Sequence, residues 1–259
     1  MIYHKYMTIK IIGYGWVGKA MKELFPKAMV HDPDQELRSY DKTDVSFICV
    51  PTPLKNKKLD CSIVEETVRG CKSPLIIIRS TVMPGTCDYL EKTYRKDIVF
   101  QPEYLGETIG HPMINQKERP FMMLGGKPKN RRKAIEVYQQ TYNANIRIRQ
   151  MTNYEAEIVK LSENRAIAYK VAQCQELYDA CEEAGVDYYV VRDAVYGDDP
   201  RFNLWWTFVY PDKRGMNSKC IPKDVYGWAS WAESLGYKPE LTNKLLEVND
   251  KFINNNSKL

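Results

Sequence analysis

The chain has 259 residues, 44% of them hydrophobic and 27% charged, the composition of a folded globular protein and not of a disordered one. Its formal net charge of +5 is small and spread along the chain, which excludes the basic stripe of a nucleic-acid binder and leaves a weak bias toward anionic ligands. No apolar run approaches the roughly 18 residues of a membrane helix, and the first residues lack the apolar core of a secretory signal, so the cytoplasm is the expected compartment. Seven scattered cysteines without a Cys-x-x-Cys pair, and three histidines far apart, give no metal-ligand spacing, so no metal is expected.

The predicted elements alternate through the first half. Apolar, β-branched runs at Met7–Ile12, Ala28–His31, Val45–Val50, Leu75–Ser80, Ile98–Gln101, Phe121–Leu124 and Asn145–Ile148 read as strands. Helical patterns lie between them at Val17–Leu24, Ser62–Arg69, Cys87–Tyr94 and Asn130–Tyr142. This alternation predicts an α/β fold, a Rossmann-type doubly wound parallel sheet. From Thr152 the pattern changes to a long helix, Tyr154–Ala184, closed by Gly185, with further helices at Asp187–Val195, Pro222–Leu235 and Glu240–Asn254. The expected division is a nucleotide-binding domain over residues 1–150 and a mostly helical domain over residues 151–259.

The first strand runs directly into Gly13-Tyr14-Gly15-Trp16-Val17-Gly18 and then a helix, the context in which a Gly-x-Gly-x-x-Gly turn carries meaning. Gly13 allows the tight turn, Gly15 lets backbone approach a pyrophosphate, and Gly18 lets helix and strand pack closely. The helix start supplies N–H groups to the phosphates. Asp32 ends the second strand, where a carboxylate accepts hydrogen bonds from the adenosine ribose and repels a 2′-phosphate. The expected cofactor is therefore NAD.

Later residues pair by spacing. Cys220 precedes Pro222, a residue favoured in the first turn of a helix, and a thiol at a helix start near Lys223 is inclined toward the thiolate. Asp224 lies four residues on, on the same helix face, which puts a nucleophile beside a candidate base. Lys160 and Asn164 share a face of the long helix in the same way, an ammonium and an amide suited to an oxyanion. Glu103 and Glu107 follow a strand at the carboxyl edge of the sheet, and Thr81 ends the strand before it. Taken singly, a cysteine is most often a small buried hydrophobe and a helix lysine most often solvated.

Five segments in register with the glycine turn change that balance: Cys49-Val50-Pro51-Thr52-Pro53, Ser80-Thr81-Val82-Met83-Pro84-Gly85-Thr86, Pro102-Glu103-Tyr104-Leu105-Gly106-Glu107, Lys160-x-x-x-Asn164 and Cys220-Ile221-Pro222-Lys223-Asp224. From about residue 7 to the mid-240s the chain resembles the UDP-glucose/GDP-mannose 6-dehydrogenase family, which oxidises a nucleotide-sugar alcohol to a carboxylate with two NAD. The resemblance implies that NAD meets Gly13, Gly15, Trp16, Val17, Gly18, Asp32, Pro51, Thr52 and Thr81. It implies that the substrate meets Glu103, Tyr104, Leu105, Lys160, Asn164, Arg201 and Lys223. It implies that Cys220 forms a thiohemiacetal and then a thioester, with Asp224 as base, Lys160 and Asn164 at the oxyanion, and Glu107 and Thr81 holding the hydrolytic water. It also implies a homodimer through the long helix, with Arg201 of Asp199-Pro200-Arg201 reaching across it.

Two departures stand beside the resemblance. Asn217 and Ser218 occupy positions where the family has glycine before the cysteine, which narrows or reshapes the sugar pocket. The sequence also ends before the family's third, nucleotide-gripping domain. Three expectations follow: a separate chain supplies that part, the substrate is a smaller sugar or acid, or catalysis is reduced. A β-hydroxyacid-type dehydrogenase and a non-catalytic NAD-binding dimer are the alternatives, and neither gives Cys220 a task.

Overall fold

A computed structural model describes residues 7–106, 113, 115–142 and 146–255. The chain divides into two compact units, Met1–Lys55 with Leu59–Lys160, and Asn56–Lys58 with Leu161–Leu259.

The first unit follows the predicted alternation. In order come β1 (Ile9–Ile12), α1 (Trp16–Leu24), β2 (Met29–His31), β3 (Val45–Ile48), a short hairpin of β4 (Leu54–Lys55) and β5 (Lys58–Leu59), α2 (Ser62–Gly70) and β6 (Leu75–Ile78). Then follow α3 (Thr86–Tyr94), β7 (Asp97–Phe100), β8 (Phe121–Gly125), α4 (Pro128–Tyr138) and β9 (Arg147–Met151). Five strands form one sheet in the order β2-β1-β3-β6-β7, and every neighbouring pair is parallel. β3 and β6 are buried along their whole length, as strands covered on both faces must be. Ile11, Phe47, Ile77 and Val99 pack on one face against Met21 and Leu24 of α1 and Val137 and Tyr138 of α4. Ile48, Ile76, Ile98 and Phe100 pack on the other against Val64 and Val68 of α2 and Leu90 of α3. Burying each such side chain stabilises the unit by about 1.5–3 kcal/mol, so the sheet carries its cohesion in these two layers.

Helix ends differ slightly from the sequence expectation, for local reasons. α4 starts at Pro128, two residues early, because a proline at the first helical position loses no hydrogen bond. It stops at Tyr138 instead of Tyr142. β8 and β9 form a separate parallel pair, with β9 later than the expected strand; Asn145 lies outside the described residues. The hairpin escaped prediction, because its turn is Asn56-Lys57, both at positive φ (52° and 62°), where an Asn-Gly pair is the usual signal.

The second unit is helical. It contains most of α5 (Asn153–Ala184), then α6 (Tyr188–Tyr196), α7 (Ile221–Ser234) and α8 (Glu240–Asn255). α5 opens with a capping box: Glu155 N–H donates to Thr152 Oγ1 at 3.2 Å, and Thr152 N–H donates to Glu155 Oε2 at 2.7 Å. It closes where Gly185 turns left-handed (φ 67°) and Val186 N–H returns to Cys181 O at 3.0 Å. Ala168, Met216, Val225 and Leu245 form one core, and Cys174, Tyr188, Tyr196 and Val209 another. Among the described residues no helix is long and apolar enough to cross a membrane.

Candidate functional site

The glycine turn has the three roles its spacing predicts. Gly13 is left-handed (φ 89°), and a Cβ there would sit 2.7 Å from the Cys49 carbonyl. A Cβ on Gly18 would lie 2.1 Å from Gly13 O, so only hydrogen lets α1 rest on β1. Around a Cβ on Gly15 nothing lies within 4 Å, so this face is open to a ligand. Gly15 is the N-cap of α1 and no side chain caps the helix, which leaves its first-turn N–H groups directed at that opening. The residues therefore fit a pyrophosphate. Trp16 is half exposed beside them and Val17 half-buried.

Asp32 follows β2, and its Oδ2 accepts Tyr14 N–H at 2.6 Å and Gln35 Nε2 at 3.0 Å. One carboxylate thus braces the glycine turn and faces a cleft of about 600 Å³ lined by Gly13, His31, Asp32, Tyr40, Pro51 and Thr67. The cleft lies beyond the carboxyl ends of β1 and β2, where sheets of this kind bind a nucleoside. Pro51 is exposed at its rim. Thr52 is buried and donates its hydroxyl to Thr81 O at 2.7 Å, which fixes the half-buried Thr81 after β6.

At the same edge the Glu103 carboxylate is buried and already committed. Its Oε1 accepts from Arg119 Nη2 at 2.5 Å, Leu105 N–H at 2.6 Å and Tyr104 N–H at 2.7 Å, while Oε2 pairs with Arg79. Both guanidiniums are buried, and burial lowers the pKa of each. Two buried cations around one anion make Glu103 a staple for the Tyr104–Leu105 turn. Lys160 is buried with its Nζ 5.5 Å from the centre of the Tyr104 ring, and Leu105 is half-buried. Glu107 lies outside the described residues.

In the second unit, Cys220 is the N-cap of α7 and the one exposed cysteine of the seven. Asp224 N–H donates to Cys220 O at 3.1 Å, which confirms the one-turn spacing. The Asp224 side chain is 2% exposed; Oδ1 pairs with Lys223 Nζ at 2.9 Å and Oδ2 accepts Asn164 Nδ2 at 2.6 Å. Buried charge demands such partners, and here they bring Asn164 and Asp224 together. Of the two residues where the family has glycine, both exposed, Ser218 accepts Ile221 N–H with its Oγ at 3.2 Å; beside them the buried Met216 N–H donates to Asn249 Oδ1 at 2.5 Å. Arg201 is 80% exposed and forms its ion pair within its own loop, with Asp199.

Sequence reasoning missed Arg79, Arg119 and Glu157. Arg79 had a signal, a charge closing the apolar run Leu75–Ile78 next to Ser80-Thr81. Glu157 had another, lying three residues before Lys160 on the same helix face. Arg119 had none.

Comparison with known proteins follows the same division. Residues 32–142 match the NAD binding domain of the UDP-glucose/GDP-mannose dehydrogenase family, and residues 154–251 match that family's central domain. The chain is 28% identical over 227 residues to the UDP-glucose 6-dehydrogenase TuaD of Bacillus subtilis, covering 81% of this chain and 47% of that protein. It is 26% identical over 223 residues to a UDP-glucose 6-dehydrogenase of Rhizobium meliloti, covering 80% of this chain and 50% of the relative. The chain thus spans about half the length of these curated relatives. A solved UDP-glucose dehydrogenase from Pyrobaculum islandicum superposes with a TM-score of 0.79 at 22% identity, over 97% of this chain and 69% of that one, a likeness of fold.

Proposed function

The chain belongs to the UDP-glucose/GDP-mannose dehydrogenase family, and from that premise we propose that it oxidises the 6-hydroxyl of a UDP-glucose-like nucleotide sugar to the carboxylate through a thioester on Cys220. The first unit is the family's NAD-binding domain, and the open face of Gly15 with the braced Asp32 suits that cofactor. NAD, when bound, accepts the hydride, and two are consumed per carboxylate.

The residues of the chain take the remaining work. Asp224 receives the proton of the sugar hydroxyl through water, because its own carboxylate is buried. The Cys220 sulfur adds to the aldehyde carbon, and the resulting oxyanion is steadied by Lys160 and Asn164. Loss of a second hydride leaves the thioester, and water held by Thr81 and Glu107 cleaves it to carboxylate and free thiol. Trp16, Val17, Pro51 and Thr52 complete the cofactor contacts. Tyr104, Leu105 and Lys223 meet the sugar, with Glu103 acting behind them. The assembly is a homodimer through α5, with Arg201 reaching the substrate of the second copy. The cytoplasm suits seven free cysteines.

One observation carries this reading: an exposed sulfur heads α7 while an aspartate one turn on is buried and bonded to Asn164. A structural cysteine has no need of that arrangement. The test incubates the protein with NAD and a panel of UDP- and GDP-sugars, then small hydroxy acids, and counts NADH per product. Two NADH per carboxylate is the expected result. One per oxidised hydroxy acid would assign a β-hydroxyacid-type reaction, and none with NAD still bound would assign a non-catalytic NAD-binding protein.

A further inference from the structure

Glu157 has no solvent exposure and no part in the chemistry above. It lies on α5, one turn before Lys160. Its Oε2 accepts Gly85 N–H at 2.6 Å and its Oε1 accepts Cys87 N–H at 2.8 Å, so both oxygens hold the start of α3. α3 has no cap from its own side chains, and Glu157 is the acceptor that substitutes for one.

The segment between Thr81 and α3 is thereby fastened at both ends. Thr52 holds the Thr81 carbonyl, Thr86 Oγ1 donates to Met83 O at 2.6 Å, and Glu157 holds the two N–H groups that follow. Burial pushes the Glu157 carboxyl up to about 7, opposed by the bonds from Gly85 and Cys87. The ionisable groups of α3 that act on it are the Cys87 thiol, which hydrogen-bonds it, and the Asp88 carboxylate, whose charge raises it further. A carboxylate accepts both N–H bonds, whereas a carboxylic acid turns one oxygen into a donor with a donor facing it.

We propose that Glu157 is a positioning residue: its carboxylate draws the first turn of α3 onto the helix that carries Lys160, sets the Thr81 segment for the cofactor, and couples NAD affinity to one proton. This rests on the reading that Thr81 meets NAD. Ionised Glu157 favours the set segment, so NAD binds more tightly at pH 8 than at pH 6, and NAD in turn favours the ionised form.

Calorimetric titration of the whole chain with NAD at pH 6, 7 and 8 tests it, on the wild type and Glu157→Gln. The wild type should tighten about fivefold across this range, a modest value for coupled sites, while Glu157→Gln stays at the weaker affinity throughout. His31 lines the cleft in both proteins, so its contribution cancels in the comparison. Equal pH slopes in the two proteins would overturn the inference. Should Glu157→Gln fail to fold, carbon-13 titration of the wild-type Glu157 carboxyl replaces it. Saturating NAD should lower the midpoint by about 1 pH unit, the shift that yields about fivefold between pH 6 and pH 8 for a group titrating near 7, and an unmoved midpoint overturns the inference. A wild type that binds no NAD at any pH overturns the underlying reading instead.

Discussion

Asn164 donates from Nδ2 to Oδ2 of Asp224 at 2.6 Å, joining the middle of α5 to the first turn of α7 inside the second unit. Both residues are buried, and Lys223 on the other carboxylate oxygen balances the charge. Substituting Asn164→Ala should therefore lower stability by about 1.5–3 kcal/mol, the range for a hydrogen bond to a charged group. Urea denaturation measures this, and a loss under 0.5 kcal/mol would show that the bond is dispensable.

Cys220 behaves differently because solvent reaches it. Cys220→Ser should change stability by no more than about 0.5 kcal/mol, as exposed substitutions do, while carboxylate formation stops. Iodoacetamide should label Cys220 ahead of the other six cysteines, and the fastest labelling phase should vanish in the variant. Carboxylate formed at the wild-type rate by Cys220→Ser would remove the sulfur from the mechanism.

The three glycines of the turn separate folding from cofactor binding. Gly15→Ala meets no neighbour, so its melting temperature should match the wild type while the methyl group obstructs the phosphates and weakens NAD binding at least about tenfold, some 1.4 kcal/mol. Gly13→Ala forces a left-handed alanine against the Cys49 carbonyl and should cost about 1–3 kcal/mol of stability. Thermal melts and NAD titrations on the pair distinguish the two effects, and a melting loss in Gly15→Ala would contradict the open face.

Glu103 should prove structural in its first effect. Glu103→Ala leaves Arg79 and Arg119 buried without their carboxylate, a loss of about 3–5 kcal/mol. Such a protein should unfold at markedly lower urea. Unchanged stability with weakened sugar binding would make Glu103 a direct substrate ligand instead.

Glu157 also predicts how stability follows pH. Its folded carboxyl keeps its proton up to about 7, above the ordinary glutamate value of 4.5, so the folded state binds more protons than the unfolded state between those limits. The stability is fully present below pH 4.5 and is lost as pH rises through 7, by up to about 3 kcal/mol. Urea midpoints of the wild type should thus fall relative to Glu157→Gln from pH 5 to pH 8, and parallel curves would refute the shift.

Much of this was legible in the sequence, and the exceptions share a cause. β3, β6 and β7 announce themselves because strands covered on both faces are runs of apolar side chains. The glycine turn is legible because each glycine answers a local steric demand. Cys220 and Asp224 could be paired because helix periodicity is local too. The bond from Asn164 to Asp224 could not, since the residues stand sixty positions apart and only packing brings them together. Glu103 was recognisable as a motif residue, but its two guanidiniums come from Arg79 and Arg119, in segments that carry no common pattern. Glu157 likewise acts on N–H groups seventy residues upstream. Local chemistry could be read from the chain order, and the partners of buried charges could not.

The interior place of β1, between β2 and β3, has a consequence for how the chain is made. β1 leaves the ribosome before both of its neighbours, since β2 and β3 come later in the chain and both pair with it in parallel. Until β3 has emerged, the β3-side edge of β1 stays unsatisfied and its apolar segment, Ile9-Lys10-Ile11-Ile12, is open to anything nearby. Parallel pairings made through crossovers also close slowly, because distant segments must meet first. The exposed interval for β1 therefore lasts from its own synthesis to that of β3, and slower translation over that stretch should lengthen it.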